Sequence, residues 1–237
     1  MKTEIIKQIF TREGGASHPP YDSLNVRFGI GDNEDDVLEN RRRICEELRI
    51  EMGQLVSLNQ VHSDRLLYVD ELVQGEIDGY DAMITDVNEI FLMIQVADCQ
   101  AVMIWDPKAE VVANVHNGWK GSVQNIVGKT VHKMIEDFGC EPKNIKVEVS
   151  PSLGPCHAEF SDPYNELPKE LHEFIDENNH VDFWKTTEKQ CMDEGIKRKN
   201  IKIAQICTVC NKNKYFSHRA DINKQGTGRF ASVIGMR

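Results

Sequence analysis

No apolar run in this chain approaches the length needed to cross a bilayer, so a helical membrane protein is not expected. The opening residues, MKTEIIKQIF, are charged, and no apolar core with a small-residue cleavage site follows them, so no secretory signal is expected either. Cationic side chains are in deficit, with 28 Lys and Arg against 38 Asp and Glu, a net charge of -10. That balance argues against general affinity for nucleic acid or for anionic membranes. The two basic clusters, at residues 41–43 and 197–199, read as solvated faces flanked by acids or set in polar turns. The seven cysteines are odd in number and lack the spacing of a secreted disulfide framework, which suits reduced thiols in a cytoplasm. There is no internal repeat, low-complexity tract or linker. A length of 237 residues is enough for one large domain with a sizeable core.

What the chain does have is organised around residues 90–121, IFLMIQVADCQAVMIWDPKAEVVANVHNGWKG. Residues 90–96 are nearly all apolar and read as a buried strand. Its end turns polar at Asp98-Cys99. Shorter strands are expected over 102–106 and 111–115, the second delivering His116 ahead of Gly118 and Gly121. Strand ends are where a rigid sheet can aim a reactive side chain into a loop-lined space. Upstream, residues 10–25 form a Gly-, Pro- and Ser-rich loop carrying Arg12, His18, Ser23 and Asn25. A helix capped at Asp32 or Asn33 runs to about residue 49, and residues 55–61 read as a strand ending at His62. Downstream, apolar residues recur at helical spacing over 122–138, with His132 on the exposed flank and Gly139 as the stop. Strands over 145–149, 201–206 and 231–234 and helices over 163–178 and 186–197 complete the pattern. Interspersed strands and helices predict one α/β domain over residues 1–237.

Two imidazoles and a thiolate make a suitable three-ligand set for zinc, with a fourth position left for water or substrate. His62, Cys99 and His116 form that set here, because each closes an apolar run and none lies within a helical face. Their spacing of 37 and 17 residues matches no short zinc motif. The same residues also allow a metal-free reading, with Cys99 as nucleophile, His116 as base and Asp98 or another acid as orienter. Cys207 and Cys210 form a CxxC pair, half of a structural zinc site or a redox pair. No second CxxC supplies the other two ligands, and residues 211–214 read as a polar turn rather than the helix a thioredoxin-like pair requires.

The segments FTREGGAS, SLN, NQVH, DAMIT, ADC, VHNGWKG and TGR, in this order from about residue 10 to the C-terminus, closely resemble the laccase-domain, or polyphenol-oxidase-like, family. Members of that family have been described as purine nucleoside phosphorylases. The resemblance implies a layered α/β/β/α fold similar to the catalytic domain of cytotoxic necrotizing factor, of mixed α+β class. It implies a metal centre at His62, Cys99 and His116, taken as zinc, with copper as the alternative. It implies phosphorolysis of adenosine, inosine and methylthioadenosine, with some adenosine deamination, so the expected partners are purine nucleosides and phosphate. Ser23, Asn25 and Arg229 fall on motif positions expected to line the substrate pocket. Lys120 stands where the family commonly has Arg, and with Arg229 it is a candidate for holding phosphate. Asp98 is expected either to shuttle a proton or to hold a ligand histidine.

Other departures from the family pattern are Ala101 for Pro after ADC, Ala158-Glu159 for a Tyr-Glu pair, and His218 for Tyr before Arg219. They bear on substrate preference, since the metal triad is intact. The family's older label as a multicopper oxidase meets a compositional obstacle. A multinuclear blue-copper enzyme draws on more histidines, many in His-x-His pairs, than the eight present, none of which is so paired. Polyphenol oxidation at a single copper, a cysteine hydrolase or deamidase, and non-catalytic purine binding remain the competing functions.

Overall fold

A computed structural model describes residues 3–221 and 225–237. Two β-sheets stack face to face, and helices cover both outer surfaces. The first sheet contains β1 (Ile5–Ile9), β2 (Leu55–Asn59), β4 (Glu76–Asp78), β6 (Phe91–Val96) and β11 (Phe230–Met236), in spatial order β1-β11-β6-β2-β4. The second contains β3 (Leu66–Tyr68), β5 (Ala82–Thr85), β7 (Gln100–Asp106), β8 (Val111–Asn117), β9 (Lys146–Val149) and β10 (Ile201–Ile203), in order β10-β9-β7-β8-β5-β3. The inner faces interdigitate, with Leu58, Leu92 and Ile94 meeting Met83, Met103 and Val112.

The outer face of the first sheet packs Phe91 and Met93 against Ile44 and Leu48 of α1 (Glu34–Leu48). The outer face of the second packs Ile104 and Val115 against Val127 and Met134 of α3 (Ile126–Phe138) and Cys191 of α5 (Phe183–Asp193). This is the layered α/β/β/α arrangement. It explains why β6 is a continuous apolar run rather than an alternating one, since every residue of the strand is buried and both of its faces are covered.

Several elements differ from the sequence reading. The helix expected over 122–138 is two, α2 (Trp119–Val123) and α3, because Asn125 adopts a left-handed conformation and caps α3 by accepting the Gly128 N–H at 3.1 Å. The expected helix over 163–178 is cut short by Pro168, which leaves α4 (Pro163–Glu166) and a separate 3₁₀ turn, Lys169–Phe174. The cap of α5 is Asp182, whose side chain accepts from Lys185 N, so the helix begins ahead of residue 186. Strand β10 stops at Ile203, and β1 and β4 lay outside the sequence reading altogether.

The basic cluster at 41–43 is not wholly solvated. Arg41 is buried: its Nε donates to Val26 O at 2.8 Å, its Nη2 pairs with Glu76 at 2.6 Å, and its guanidinium lies over the Phe28 ring. It ties α1 to β4 and to the loop that carries Asn25. Arg41→Ala leaves Glu76 facing a partly buried site without its counter-charge, so urea unfolding is expected to show a loss of roughly 3 kcal/mol. Arg42→Ala, at an exposed neighbouring position, is expected to leave the unfolding midpoint unchanged within error.

Candidate active site

Polar side chains converge at one end of the sandwich, where the chain passes between the sheets. His62 follows β2, Cys99 lies in the β6–β7 crossing, and His116 sits near the end of β8 opposite Ala101 of β7. One potential ligand atom from each lies within 4.8 Å of the others. The two imidazole rings meet edge to face, with centroids 4.7 Å apart. Gly118 leaves the room for this approach, because a Cβ there would come within 2.9 Å of both Cys99 Sγ and His62 Nδ1.

Asp81 organises the group. It is completely buried just ahead of β5. Its carboxylate accepts the backbone N–H of Val61, His62 and Ser63, at 3.3, 2.9 and 2.6 Å, and the Ser63 hydroxyl at 2.8 Å. Its Oδ1 also lies 2.7 Å from His116 Nδ1. Together these bonds hold His62 in a left-handed turn, φ 60°, and fix the ring of His116 with its other nitrogen turned toward Cys99. Burial works against the Asp81 carboxylate, but the hydrogen bonds from His116 and Ser63 outweigh it and hold its pKa at about 2. Burial would likewise lower His116. The electrostatic interaction with Cys99 and hydrogen bonds to Asp81 and Cys99 reverse that and raise it to about 9. His62 is lowered to about 4 by desolvation and by the charge of His116.

Asp98 makes a second anchored turn. Its backbone is left-handed, φ 84°, and its carboxylate accepts Thr208 Oγ1, Ser217 Oγ and Arg219 N, each at 2.6 Å. The Asp98 carboxylate therefore holds the 208–219 segment, and the acid that orients a histidine is Asp81. In the sequence Asp81 is one more turn residue. Its only local signal is the turn-rich stretch around Gly79, because its partners lie across the fold.

Two clefts meet at the His/Cys cluster and share His62, Cys99, Ala97 and His218. One, of about 320 Å³, has an aromatic wall of Trp119, Phe160 and Phe183. The other, of about 270 Å³, is lined by Arg27, Gln60, His116 and Arg229. Arg229 is anchored through Nη1 to the carbonyls of Thr227 and Gly228, at 2.8 and 3.0 Å. Asn25 stands behind it, fully buried, with Oδ1 accepting Arg229 N at 2.9 Å and Nδ2 donating to Asp32 at 2.8 Å. Ser23 is farther back, with its hydroxyl donating to Arg12 O and accepting Gly15 N. Neither Ser23 nor Asn25 lines the two clefts. Lys120 is exposed beside them, with its Nζ 5.7 Å from the centroid of its neighbour Trp119. The sequence reading did not single out Arg27, Gln60, Phe160 or Phe183 for the site.

Residues 7–237 match the family model described as multi-copper polyphenol oxidoreductase laccase. The chain is 28% identical to the purine nucleoside phosphorylase YlmD of Bacillus subtilis, over 99% of this chain and 89% of that protein. It is 36% identical to the purine nucleoside phosphorylase CA_C1699 of Clostridium acetobutylicum, over 75% of each. The crystal structure of YlmD from Geobacillus stearothermophilus superposes with a TM-score of 0.91 at 29% identity, covering 98% of this chain and 92% of that one.

In the metal-free protein, an NMR titration is expected to place the His116 midpoint near 9. Asp81→Asn removes the charged acceptor and is expected to lower that midpoint by about 1–3 pH units. An unmoved midpoint would mean that Asp81 does not govern this ring.

Proposed function

The chain belongs to the multi-copper polyphenol oxidoreductase laccase family, and we propose that it is a metal-dependent purine nucleoside phosphorylase. The observation that carries this reading is the meeting of an aromatic cleft and a cationic cleft across one His/Cys cluster. A purine presents a flat apolar face with polar edges, and phosphate presents charge. A site that brings them to one ribose needs both kinds of wall, side by side. The name that the relatives carry supports the same reaction for this chain.

In that reaction the base–ribose C–N bond breaks, a phosphate oxygen bonds to the same ribose carbon, and free base and ribose 1-phosphate leave. Adenosine, inosine and methylthioadenosine are the proposed substrates. The purine stacks in the aromatic cleft beside Trp119 and Phe160, whose rings are already edge to face at 6.1 Å. Phosphate is held by Arg229 and Arg27, whose guanidiniums present forked donors, with Lys120 at the rim as a further positive charge. Asn25 acts through Arg229 by fixing its backbone. His218 lines both clefts and faces the ribose between them. Asp98, whose carboxylate accepts three hydrogen bonds from the 208–219 segment, holds the cleft wall in this reading, and proton transfer at the same carboxylate is the alternative role.

His62, Cys99 and His116 would hold the metal. Two imidazoles and a thiolate suit zinc, Asp81 orients one of them, and Gly118 leaves the space. Copper(II), which tops the divalent affinity order, is the competing ion. When bound, the metal would act as a Lewis acid toward a phosphate or ribose oxygen. Because His116 keeps a proton up to about pH 9 in the metal-free protein, metal uptake must displace it. Affinity is therefore expected to rise about tenfold per pH unit for each displaced proton and to level off above that pH. Calorimetric titration at several pH values checks this, and a flat profile contradicts it.

Adenosine deamination is a proposed side activity of the same pocket. A second reading rests on the hydrogen-bonded chain Cys99–His116–Asp81, which also suits a cysteine hydrolase. His62 favours the metal reading, because a thiol nucleophile and its base need no second imidazole pointed at them.

The test is adenosine and inosine incubated with and without phosphate, with free base followed by chromatography. Phosphate-dependent base release that a chelator abolishes is expected. Inosine appearing from adenosine without free base would leave deamination alone, and turnover lost to iodoacetamide but untouched by chelation would favour the hydrolase. Arg229→Gln is expected to lower kcat/KM for phosphate about 10- to 100-fold with the metal content unchanged.

A further inference from the structure

Three cysteines and one histidine outside the purine site gather at a single point on the surface. Cys156 and His157 lie in the turn after β9, and Cys207 and Cys210 bracket a turn after β10. His157 Nδ1 is 3.2 Å from Cys156 Sγ, 3.5 Å from Cys207 Sγ and 3.6 Å from Cys210 Sγ. Cys156 Sγ and Cys210 Sγ are 3.8 Å apart, and all four ligand atoms fall within 4.8 Å of one another. A tetrahedral zinc with Zn–S of about 2.3 Å and Zn–N of about 2.0–2.1 Å has S–S edges of about 3.8 Å and S–N edges of about 3.5 Å. The four separations lie within about 0.3 Å of those edges. A disulfide would need sulfurs about 2.05 Å apart and would leave Cys207 and His157 without a role.

The backbone supports the same geometry. The Cys207 carbonyl accepts both Asn211 N at 3.1 Å and Asn211 Nδ2 at 2.9 Å, and Cys207 bridges to Ser152, which holds the CxxC turn against the segment that leads to Cys156. The sequence shows only one CxxC. The fold supplies the missing half as an adjacent Cys-His pair some fifty residues earlier, in the turn that follows β9, the strand that β10 pairs with.

We propose that Cys156, His157, Cys207 and Cys210 bind a structural zinc ion that clamps the wall of the purine site. Four protein ligands leave no open position, which is the mark of a structural rather than a catalytic zinc. The clamp acts through named contacts. Thr208, between the two cysteines of the CxxC, donates to Asp98 Oδ1 at 2.6 Å, and its N–H bonds Ser152 O at 3.0 Å. Arg219 Nη1 donates to the carbonyl of His157 at 2.9 Å, and Arg219 N to Asp98 Oδ2 at 2.6 Å. The ion therefore fixes the turn that follows Leu153 and, through the His157 carbonyl, the segment from which Arg219 reaches the aromatic cleft. The inference does not depend on which reaction that cleft performs.

The test uses the whole chain, expressed with added zinc and purified reduced without chelator. In His62→Ala/Cys99→Ala, which leaves the new site intact, elemental analysis is expected to find one zinc per chain. Cobalt(II) substitution of that variant is expected to give the near-ultraviolet thiolate-to-metal band and the visible bands of a tetrahedral thiolate site. Cys156→Ser/Cys210→Ser is expected to lose that ion and band, and trypsin is expected to cut it within residues 212–219 at least about tenfold faster than the unsubstituted chain. No metal in His62→Ala/Cys99→Ala, or a Cys156–Cys210 disulfide in the zinc-supplemented protein by non-reducing mass spectrometry, would overturn the proposal. An unchanged cleavage rate after loss of the ion would overturn the clamp. Should the serine variant not fold, the cobalt spectrum of His62→Ala/Cys99→Ala decides alone.

Discussion

The carboxylate of Asp81 is the group on which the rest of the site depends. It is buried, and it meets five donors drawn from two parts of the chain: three consecutive backbone amides, one hydroxyl and one imidazole. A buried carboxylate without partners is heavily penalised, so the residues around it have little freedom to be elsewhere. The turn that presents His62 is wrapped around that charge, and the ring of His116 is aimed by it. Because β2 belongs to one sheet and β5 to the other, Asp81 also joins the two sheets at the end where the clefts open. One ionised group thus sets local backbone, sheet-to-sheet registration and the orientation of two imidazoles.

Asp98 repeats the device on the other side of Cys99. A left-handed aspartate turns the chain out of β6, and its carboxylate collects the 208–219 segment. The thiol is thereby fixed between two acid-centred turns, neither of which lies in a regular element. This division of labour keeps the sheets as rigid supports and places the polar groups where strands end. It also separates two kinds of Cys/His cluster: one of three candidate ligands at the mouth of a cleft, one of four at the surface behind it.

The sequence revealed those parts of the molecule whose signal is local. The apolar run at 90–96 marked a strand covered on both faces, and His62, Cys99 and His116 stood out because each closed such a run. The amphipathic repeat over 122–138 located a helix, although not the left-handed break at Asn125. What escaped were contacts made by tertiary structure. Asp81 looks like any turn aspartate until the amides of Val61, His62 and Ser63 arrive from the other sheet. Arg41 looked like a member of a solvated triplet because its partner, Glu76, lies on a three-residue edge strand that composition does not mark. Cys207 and Cys210 looked like half a site for the same reason: the other half is adjacent only through the pairing of β9 with β10. Asn25, singled out by a motif, proves to hold the backbone of Arg229 instead of facing the cleft.

The central claim is that Asp81 builds a metal centre at the junction of the two clefts. The most direct measurement is an anomalous-difference map at the zinc edge from crystals of metal-replete protein. The account predicts a peak bonded by His62, Cys99 and His116, with His116 coordinating through Nε2 because Asp81 occupies Nδ1. A map with no peak there, from protein that still turns over nucleoside, would contradict it.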